Sequence, residues 1–324
     1  MLFRQLEYFV ALAREQHFAR AAAACYVSQP ALSSAIHKLE QELNVTLINR
    51  GHAFQGLTPE GERLVIWAKR ILSEHDAFKA EVKAVRSGIT GTLRLGATPT
   101  ASTTASLPIE AFAAIHPLAR IRIQTRLASD ELARMLTDFE LDGAIMASGP
   151  AEHGGLETVP LYEEHYVVIV PQELVADGDA AMPWVEAHRL PLALLDQRMH
   201  SRKLIDQAFA EHGIVLEPQV ETDSVASLHS LVRTGRWASI VPRSWLYSRG
   251  GPSAPGIVTL PDAVVHQTMV VAISSIEPGS LIARSFAQTS AALDLDEFLA
   301  IREPYAAMDP RAPAADGTGH VSGG

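Results

Sequence analysis

Between Pro59 and Arg86 the chain carries no glycine or proline beyond the first turn, so nothing stops a helix once it has begun. Thr58-Pro59 supplies the start, a cap followed by a proline whose missing N–H costs nothing there, and Ser87-Gly88 supplies the stop. Within this helix Leu64, Ile71, Phe78 and Val85 recur every seventh residue, and Ala68, His75 and Val82 follow the first three by four places. That is a heptad seam. A lone helix with so narrow an apolar stripe is marginal in water and needs a partner. The partner is either its own N-terminal domain or a second copy of the chain. The expectation is a dimer helix over residues 59–90, with Leu64, Ile71, Phe78, Val82 and Val85 as its seam.

Residues 1–58 read as compact and helical. Leu6, Phe9, Val10 and Ala13 space a first helix, and Phe18, Ala22 and Ala23 a second. Ser28 caps a third, with Pro30 in its first turn and no breaker from Ala31 to Leu43. The stretch FARAAAACYVSQPALSSAIHKLEQEL is therefore two helices broken at Tyr-Val-Ser. The later helix has a dry face of Leu32, Ile36, Leu39 and Leu43, set against Gln29, Ser33, Ser34, His37 and Lys38. This is the pattern of a helix-turn-helix. Gln29 can bond adenine bidentately, Ser33 and Ser34 can bond base edges or phosphate, and His37 and Lys38 can reach the backbone. A helical hairpin with a solvated face would show the same pattern. Residues 46–57, with Gly51 and Gly56 around Arg50 and His52, look like a short hairpin or wing.

Charge is distributed unevenly. The chain has net charge −10, yet residues 1–90 hold 11 Lys+Arg against 9 Asp+Glu, so the acidity belongs to the remainder. A near-neutral head cannot hold DNA by bulk electrostatics. It needs several copies per site, with backbone amides and helix ends as phosphate partners. At 324 residues and 47% hydrophobic, the chain suits several globular domains. Arg4, Gln5, Glu7, Arg14 and Glu15 interrupt any secretory signal, and no segment is long enough to span a bilayer, so a cytoplasmic protein without membrane contact is expected. The single cysteine, Cys25, excludes an intramolecular disulfide and agrees with a reducing compartment.

From Gly91 strands and helices alternate. TLRLGAT, RIRIQTR and DGAIMAS read as strands separated by helices near 103–115 and 130–139. YVVIVP, LPLALLD, PQVETD and WASIVP follow, with helices near 201–212 and 225–234. TMVVAIS and a helix over 280–293 return to the first set. The alternation implies parallel sheets covered on both faces, in two lobes joined by crossing segments near 161–166 and 261–268. Lobe I would take 91–162 and 268–302, and lobe II 163–267. The Pro-, Gly- and Ala-rich residues 303–324 read as a disordered tail. Directly after the first strand, ATPTASTTAS lines a helix start with Thr98, Thr100, Ser102 and Thr103, a site for a small anion or simply an N-cap. Glu163-Glu164 reads as a solvated strand end. HExxH, GxSxG, GxxxxGK and GxGxxG are absent and the histidines do not cluster, so no catalytic residue, metal or cofactor is expected.

The blocks RQLEYFVALAREQHFARAA, VSQPALSSAIHKLEQELNVTLINR, GLTPEGE, GTLRLG and SLVRTGRWASIVP together resemble the LysR-type transcriptional regulator family over nearly the whole chain. The opening and the SGITGTLRLG junction are most similar to its actinobacterial, OxyS-like branch. The resemblance implies an α/β fold with an all-α N-terminal part: a winged helix-turn-helix over 1–58, a dimerising linker helix, and a two-lobed, doubly wound effector domain of the periplasmic-binding-protein type over 91–302. It puts Ser28, Gln29, Pro30, Ser33 and Ser34 at the DNA-facing start of the recognition helix and Arg50 in the wing. Many members carry Arg where this chain has Ser34, so its preferred bases cannot be borrowed from relatives. The ATPTASTTAS turn moves to the interlobe cleft with Ser129, Ser148, the His200-Ser201 turn and Asp223. The implied partners are double-stranded promoter DNA, a small inducer, further copies in a dimer or tetramer, and RNA polymerase. A solute-binding protein without DNA binding is the alternative.

Cys25 sits at the end of the second helix. A cysteine in an Ala-rich helix is usually a small buried hydrophobe. The sharper reading is a redox switch, in which sulfenic acid formation against the recognition helix weakens DNA binding.

Overall fold

The computed structural model describes residues 1–50, 54–151, 155–171, 182–248, 256–258, 260, 265–276 and 279–301. The expected tail at 303–324 and the wing tip at Gly51 and His52 lie outside these residues, as do the side chains of Arg50 and Val85.

The N-terminal unit contains α1 (Phe3–Glu15), α2 (Phe18–Ala24), α3 (Gln29–Leu43), β1 (Ile48–Arg50) and β2 (Phe54–Leu57). Leu6, Phe9, Leu12, Ala21, Leu32, Ile36 and Leu39 close one core between the three helices, and Leu47 and Ile48 bring the wing into it. Leu43, expected on the dry face, is the last residue of α3 and is 39% exposed. The wing is antiparallel, Ile48 opposite Leu57 and Arg50 opposite Phe54.

α4 (Pro59–Ser87) begins where the sequence placed its start. Thr58 Oγ1 accepts the Gly61 N–H (2.9 Å) and donates to the Thr46 carbonyl (2.7 Å), so one hydroxyl caps the helix and ties it to the wing. The approach is close enough that a Cβ at Gly61 would collide with the Leu47 carbonyl. Along α4, Leu64, Ala68 and Ile71 pack into the molecule's own N-terminal core. Trp67, Phe78 and Val82 stay exposed. One seven-residue rhythm thus serves two purposes, own-domain packing first and an open apolar face after it.

The remaining chain forms two lobes. The first is built from β3 (Gly91–Ala97), α5 (Ser106–Ile115), β4 (Ala119–Gln124), α6 (Ser129–Thr137), β5 (Gly143–Ala147) and α7 (Ser148–Ala151), closed by α11 (Leu281–Ala291) and α12 (Leu295–Ile301). The second holds α8 (Trp184–Arg189), β7 (Ala193–Leu195), α9 (His200–Glu211), β8 (Val220–Thr222), α10 (Val225–Arg233), β9 (Ser239–Pro242) and β10 (Gly256–Val258). Two long strands, β6 (Leu156–Val170) and β11 (His266–Ser274), pass between them. Alternate residues feed separate apolar clusters on the two faces of each sheet: Ile145 and Val271 on one side with Met146 and Val270 on the other, then Val168 and Leu194 against Val167 and Ala193. Both sheets are covered on both faces, as the alternation implied.

Two expectations need correction. The sheets are mixed: β3 pairs β4 and β5 in parallel and β7 pairs β8 in parallel, but β11 runs antiparallel to β5 and β6, and β6 runs antiparallel to β9 and β10. A strand that returns from the second lobe enters the first from the opposite end, which forces the reversal. The helix expected from residue 103 begins at Ser106, behind a 3-10 turn over Thr100–Ser102.

The tight wing–helix junction yields a test. Gly61→Ala is expected to cost about 1–3 kcal/mol through overpacking against backbone, read as a lowered urea midpoint with unchanged slope; an unchanged midpoint would show that the junction can yield.

Candidate functional site

The first site is the exposed face of α3. Gln29, Pro30, Ser34, His37 and Lys38 are exposed and Ser33 is half-buried, on the side opposite Leu32, Ile36 and Leu39. Ser28 is the N-cap, its Oγ accepting the Ala31 N–H at 3.4 Å. The turn before it closes with the Val27 N–H on the Ala22 carbonyl (3.0 Å) and the Tyr26 N–H on the Ala23 carbonyl (3.1 Å), which puts Tyr26 in the left-handed region at φ 56°. Tyr26 is 96% exposed, a position that sequence reasoning did not single out.

The buried carboxylate of Glu40 fixes this face relative to the wing. Its Oε1 accepts the N–H groups of Leu47 (2.9 Å) and Ile48 (3.2 Å), so the far half of α3 holds the first strand of the hairpin directly. His37 lies beside it, Nδ1 at 3.7 Å from Glu40 Oε2, and shares a 3.1 Å hydrogen bond with Gln41. Asn49 Nδ2 donates to the Leu57 carbonyl across the wing (2.9 Å). Helix and wing therefore present one rigid surface. Cys25 is partly buried against the same core, and its thiol pKa is raised, first by desolvation and then by the nearby Glu7 carboxylate, with Arg14 opposing.

The second site lies between the lobes. Thr98, Thr100, Ser129, His200 and Ser201 come together around a cavity of about 10 Å³, with Gln267 from β11. Neither α6 nor α9 is capped by a side chain, and the residues at their starts, Ala128 and Ser129, Met199 to Ser201, line this cavity. Thr98 and Thr100 hydroxyls bond each other at 3.3 Å. The other candidates stand elsewhere. Ser102 and Thr103 donate to the carbonyls of Pro99 (2.6 Å) and Thr100 (3.4 Å) as local turn closures. Ser148 opens α7 outside the cavity lining. Asp223 reaches across the lobes to Arg126 (3.2 Å) at an exposed position.

Beside the cavity, Glu164 is buried, not solvated as its neighbour Glu163 is, because the pleat of β6 turns adjacent residues to opposite faces. Its Oε1 receives Tyr162 Oη (3.3 Å) and Ser244 Oγ (3.4 Å); its Oε2 receives Tyr166 Oη (3.1 Å) and Gln267 Nε2 (2.6 Å). Burial raises its pKa, and these four hydrogen bonds oppose the rise. Trp245 Nε1 donates to the Thr100 carbonyl (3.1 Å), a further bond between lobes. Gln267, Tyr162, Tyr166, Ser244 and Trp245 carry no sequence motif; the crossing segments near 161–166 and 261–268 covered Tyr162, Tyr166 and Gln267, and nothing pointed toward Ser244 or Trp245.

Comparison with known proteins decides the family. Residues 3–62 match the model of the bacterial regulatory helix-turn-helix protein, lysR family, and residues 86–293 match the LysR substrate binding domain. The chain is a LysR-family transcriptional regulator. Among curated relatives, a probable hydrogen peroxide-inducible genes activator of Streptomyces viridosporus is 36% identical over 60% of this chain, which spans 62% of that relative's length. One from Mycobacterium xenopi is 36% identical over 55% of this chain and 94% of its own. Among solved structures, full-length OxyR of Pseudomonas aeruginosa, with one cysteine replaced by aspartate, superposes with a TM-score of 0.72 at 26% identity, covering 92% of this chain and 97% of its own. The LysR-family regulator CbnR shares the fold, with a TM-score of 0.64 at 22% identity over 91% of this chain and all of its own. No helix among the described residues is long and apolar enough to cross a membrane, and none of their His, Cys, Asp and Glu side chains group as a metal site of three or more.

In this LysR-family fold His200 supplies a pH test. Its pKa is lowered by burial and then by Lys203, with Asp130 opposing. The unfolded chain takes up the proton first, so stability falls as pH drops below the ordinary histidine value of about 6.5. His200→Gln is expected to lose less stability than the parent between neutral pH and about pH 5.5, by urea midpoints; parallel pH curves for the two proteins would refute it.

Proposed function

We propose that this LysR-family protein reads promoter DNA through the exposed face of α3 and changes that reading when a small anion occupies the interlobe cleft. The observation that carries the first half is the continuous polar face of Gln29, Ser33, Ser34, His37 and Lys38, fixed to the wing through Glu40. The residues assigned to DNA are Ser28, Gln29, Pro30, Ser33, Ser34, His37, Lys38 and Arg50. Residues 1–58 form the DNA-binding unit, 59–90 the linker helix and 91–302 the effector domain. Paired linker helices would set two heads about 34–36 Å apart, one helical turn of DNA. Exposed Trp67, Phe78 and Val82 support a second copy on α4, and a dimer or tetramer supplies the phosphate contacts that a near-neutral head lacks. RNA polymerase at the promoter and a cytoplasmic location belong to the same reading.

The names of the 36% identical relatives suggest a role in oxidative stress. The chain's one thiol, Cys25, is half of that reading, yet its raised pKa leaves less of the reactive thiolate. The uncapped starts of α6 and α9 favour the other half, a ligand held without a covalent bond.

Selection of fragments from the source genome by the purified protein tests DNA reading, and recovery without enrichment of any fragment would end it. On an enriched fragment, Gln29→Ala is expected to cost about 1–3 kcal/mol at one base position and little elsewhere, whereas Lys38→Ala weakens all sequences alike and flattens the salt slope by about one. Phe78→Glu is expected to give a monomer by light scattering and to lose most of the DNA affinity; a dimer that survives this charge places the interface elsewhere.

A further inference from the structure

Two residues that line the same cavity each hold a buried polar atom without a hydrogen-bond partner: Ser129 its Oγ and Gln267 its Oε1. Ser129 is 4% exposed. An unpaired buried acceptor costs about 1–3 kcal/mol, so two at one place mark a position a ligand would fill. The orientation of Gln267 is fixed by its other end. Its Nε2 donates to Glu164 Oε2 (2.6 Å) and to Tyr166 Oη (2.9 Å). Turning the amide over would set its carbonyl against a carboxylate that already receives both tyrosines, so the end left without a partner is the acceptor, Oε1. Gln267 can therefore accept a hydrogen bond from a ligand but cannot donate one. The starts of α6 and α9 offer the opposite chemistry, amides and a positive dipole end. No Lys or Arg lines the cavity, so a negative charge would meet only the helix ends, His200 and hydroxyls, which suits one charge better than two.

We propose that the cleft takes a small hydroxylated monoanion, its charged oxygens at the starts of α6 and α9 and its hydroxyl donating to Gln267 Oε1, and that Gln267 carries this occupancy to the Glu164 cluster where the lobes' strands cross. The proposal rests on the cleft-anion reading above and adds to it the ligand's donor group and the residue that reports it. The cavity is now large enough for about one water molecule, so the ligand enters as the lobes part, lengthening the Trp245–Thr100 and Arg126–Asp223 contacts. Once bound, the hydroxyl pulls on the same amide that anchors Glu164, whose partners come from β6, β11 and the segment after β9.

The test uses the full chain and two matched pairs, glycolate against acetate and lactate against propionate, by calorimetry. The expected result is about tenfold tighter binding of the hydroxylated member in each pair, the loss expected when a buried acceptor goes unpaired. Gln267→Met, similar in length but without the acceptor, reduces that preference to near unity, while Ser129→Ala weakens both members and keeps their ratio. Saturating lactate alters affinity for an enriched DNA fragment in the parent and in Ser129→Ala, but not in Gln267→Met. Equal affinity within each pair in the parent protein overturns the proposal even if Gln267→Met does not fold, and so does a retained preference in that variant. Binding of none of the four acids removes the cleft-anion reading itself, a different failure from loss of discrimination among acids that do bind.

Discussion

One strand belongs to both lobes, and the point at which it changes partners is where the molecule buries a carboxylate. The first part of β6 is hydrogen-bonded along β11 as far as the His165–His266 pair; beyond it, Tyr166 to Val170 lie between β9 and β10. Glu164 stands at that change. Burying a carboxylate costs several kcal/mol unless hydrogen bonds replace its water, and here three hydroxyls and an amide, contributed from both sides of the crossing, do so. Any rotation of one lobe on the other must keep those four bonds or strand a charge. The lobes therefore have few acceptable arrangements, which is the condition for a switch. A ligand in the cleft can select among them only by its difference in affinity, not by its tightness.

The DNA-binding unit solves a different problem with the same device. Its net charge is too small to hold a duplex, so geometry must replace attraction. Glu40 does this by accepting two amides from the wing strand, which keeps helix and wing from moving separately. A preorganised head loses less entropy on docking. In the proposed dimer or tetramer, each further copy would add its phosphate contacts and make the second contact intramolecular. Trp67 and Phe78 on α4 stay exposed beside Phe3 of α1, while Leu64 and Ile71 are used up inside the N-terminal core, and this is the apolar face the proposed joining would use.

What could be read in the sequence and what could not divides along contact range. Ser28, Pro30 and Thr58-Pro59 announce helix starts because a cap acts within one turn, and the lobes' strands announce themselves by alternation. The purpose of the heptad did not show, since seven-residue recurrence is identical whether Leu64 meets its own α1 or another copy. Nor did the continuity of β6, whose Pro160 and paired glutamates look like the end of a strand rather than its middle. Glu164 and Gln267 are about a hundred residues apart in sequence and 2.6 Å apart in space; each alone reads as a polar residue at a strand edge. Thr98 and Thr100 were singled out by a local pattern, a strand leading into a helix start, whereas Ser129 came only with the family resemblance, and Asp223 was drawn instead into an ion pair with Arg126 that no local pattern reveals.

The two sensing chemistries open to this chain differ in where their energy comes from. A thiol sensor needs thiolate, and Cys25 sits where desolvation and Glu7 both work against it. With no second cysteine in the chain, a sulfenic acid there has no resolving partner within the protomer. Its influence would have to travel through the packing of α2 on α3, next to the reading head. The cleft has the reverse profile: no cysteine between residues 86 and 293, but unpaired polar atoms, uncapped helix starts and a direct hydrogen-bonded route to the strand crossing. Reversible hydrogen bonding at that crossing touches strands of both lobes at once, and so, in the proposed reading, it is the chemistry better placed than the thiol to couple the cleft to the DNA-binding unit.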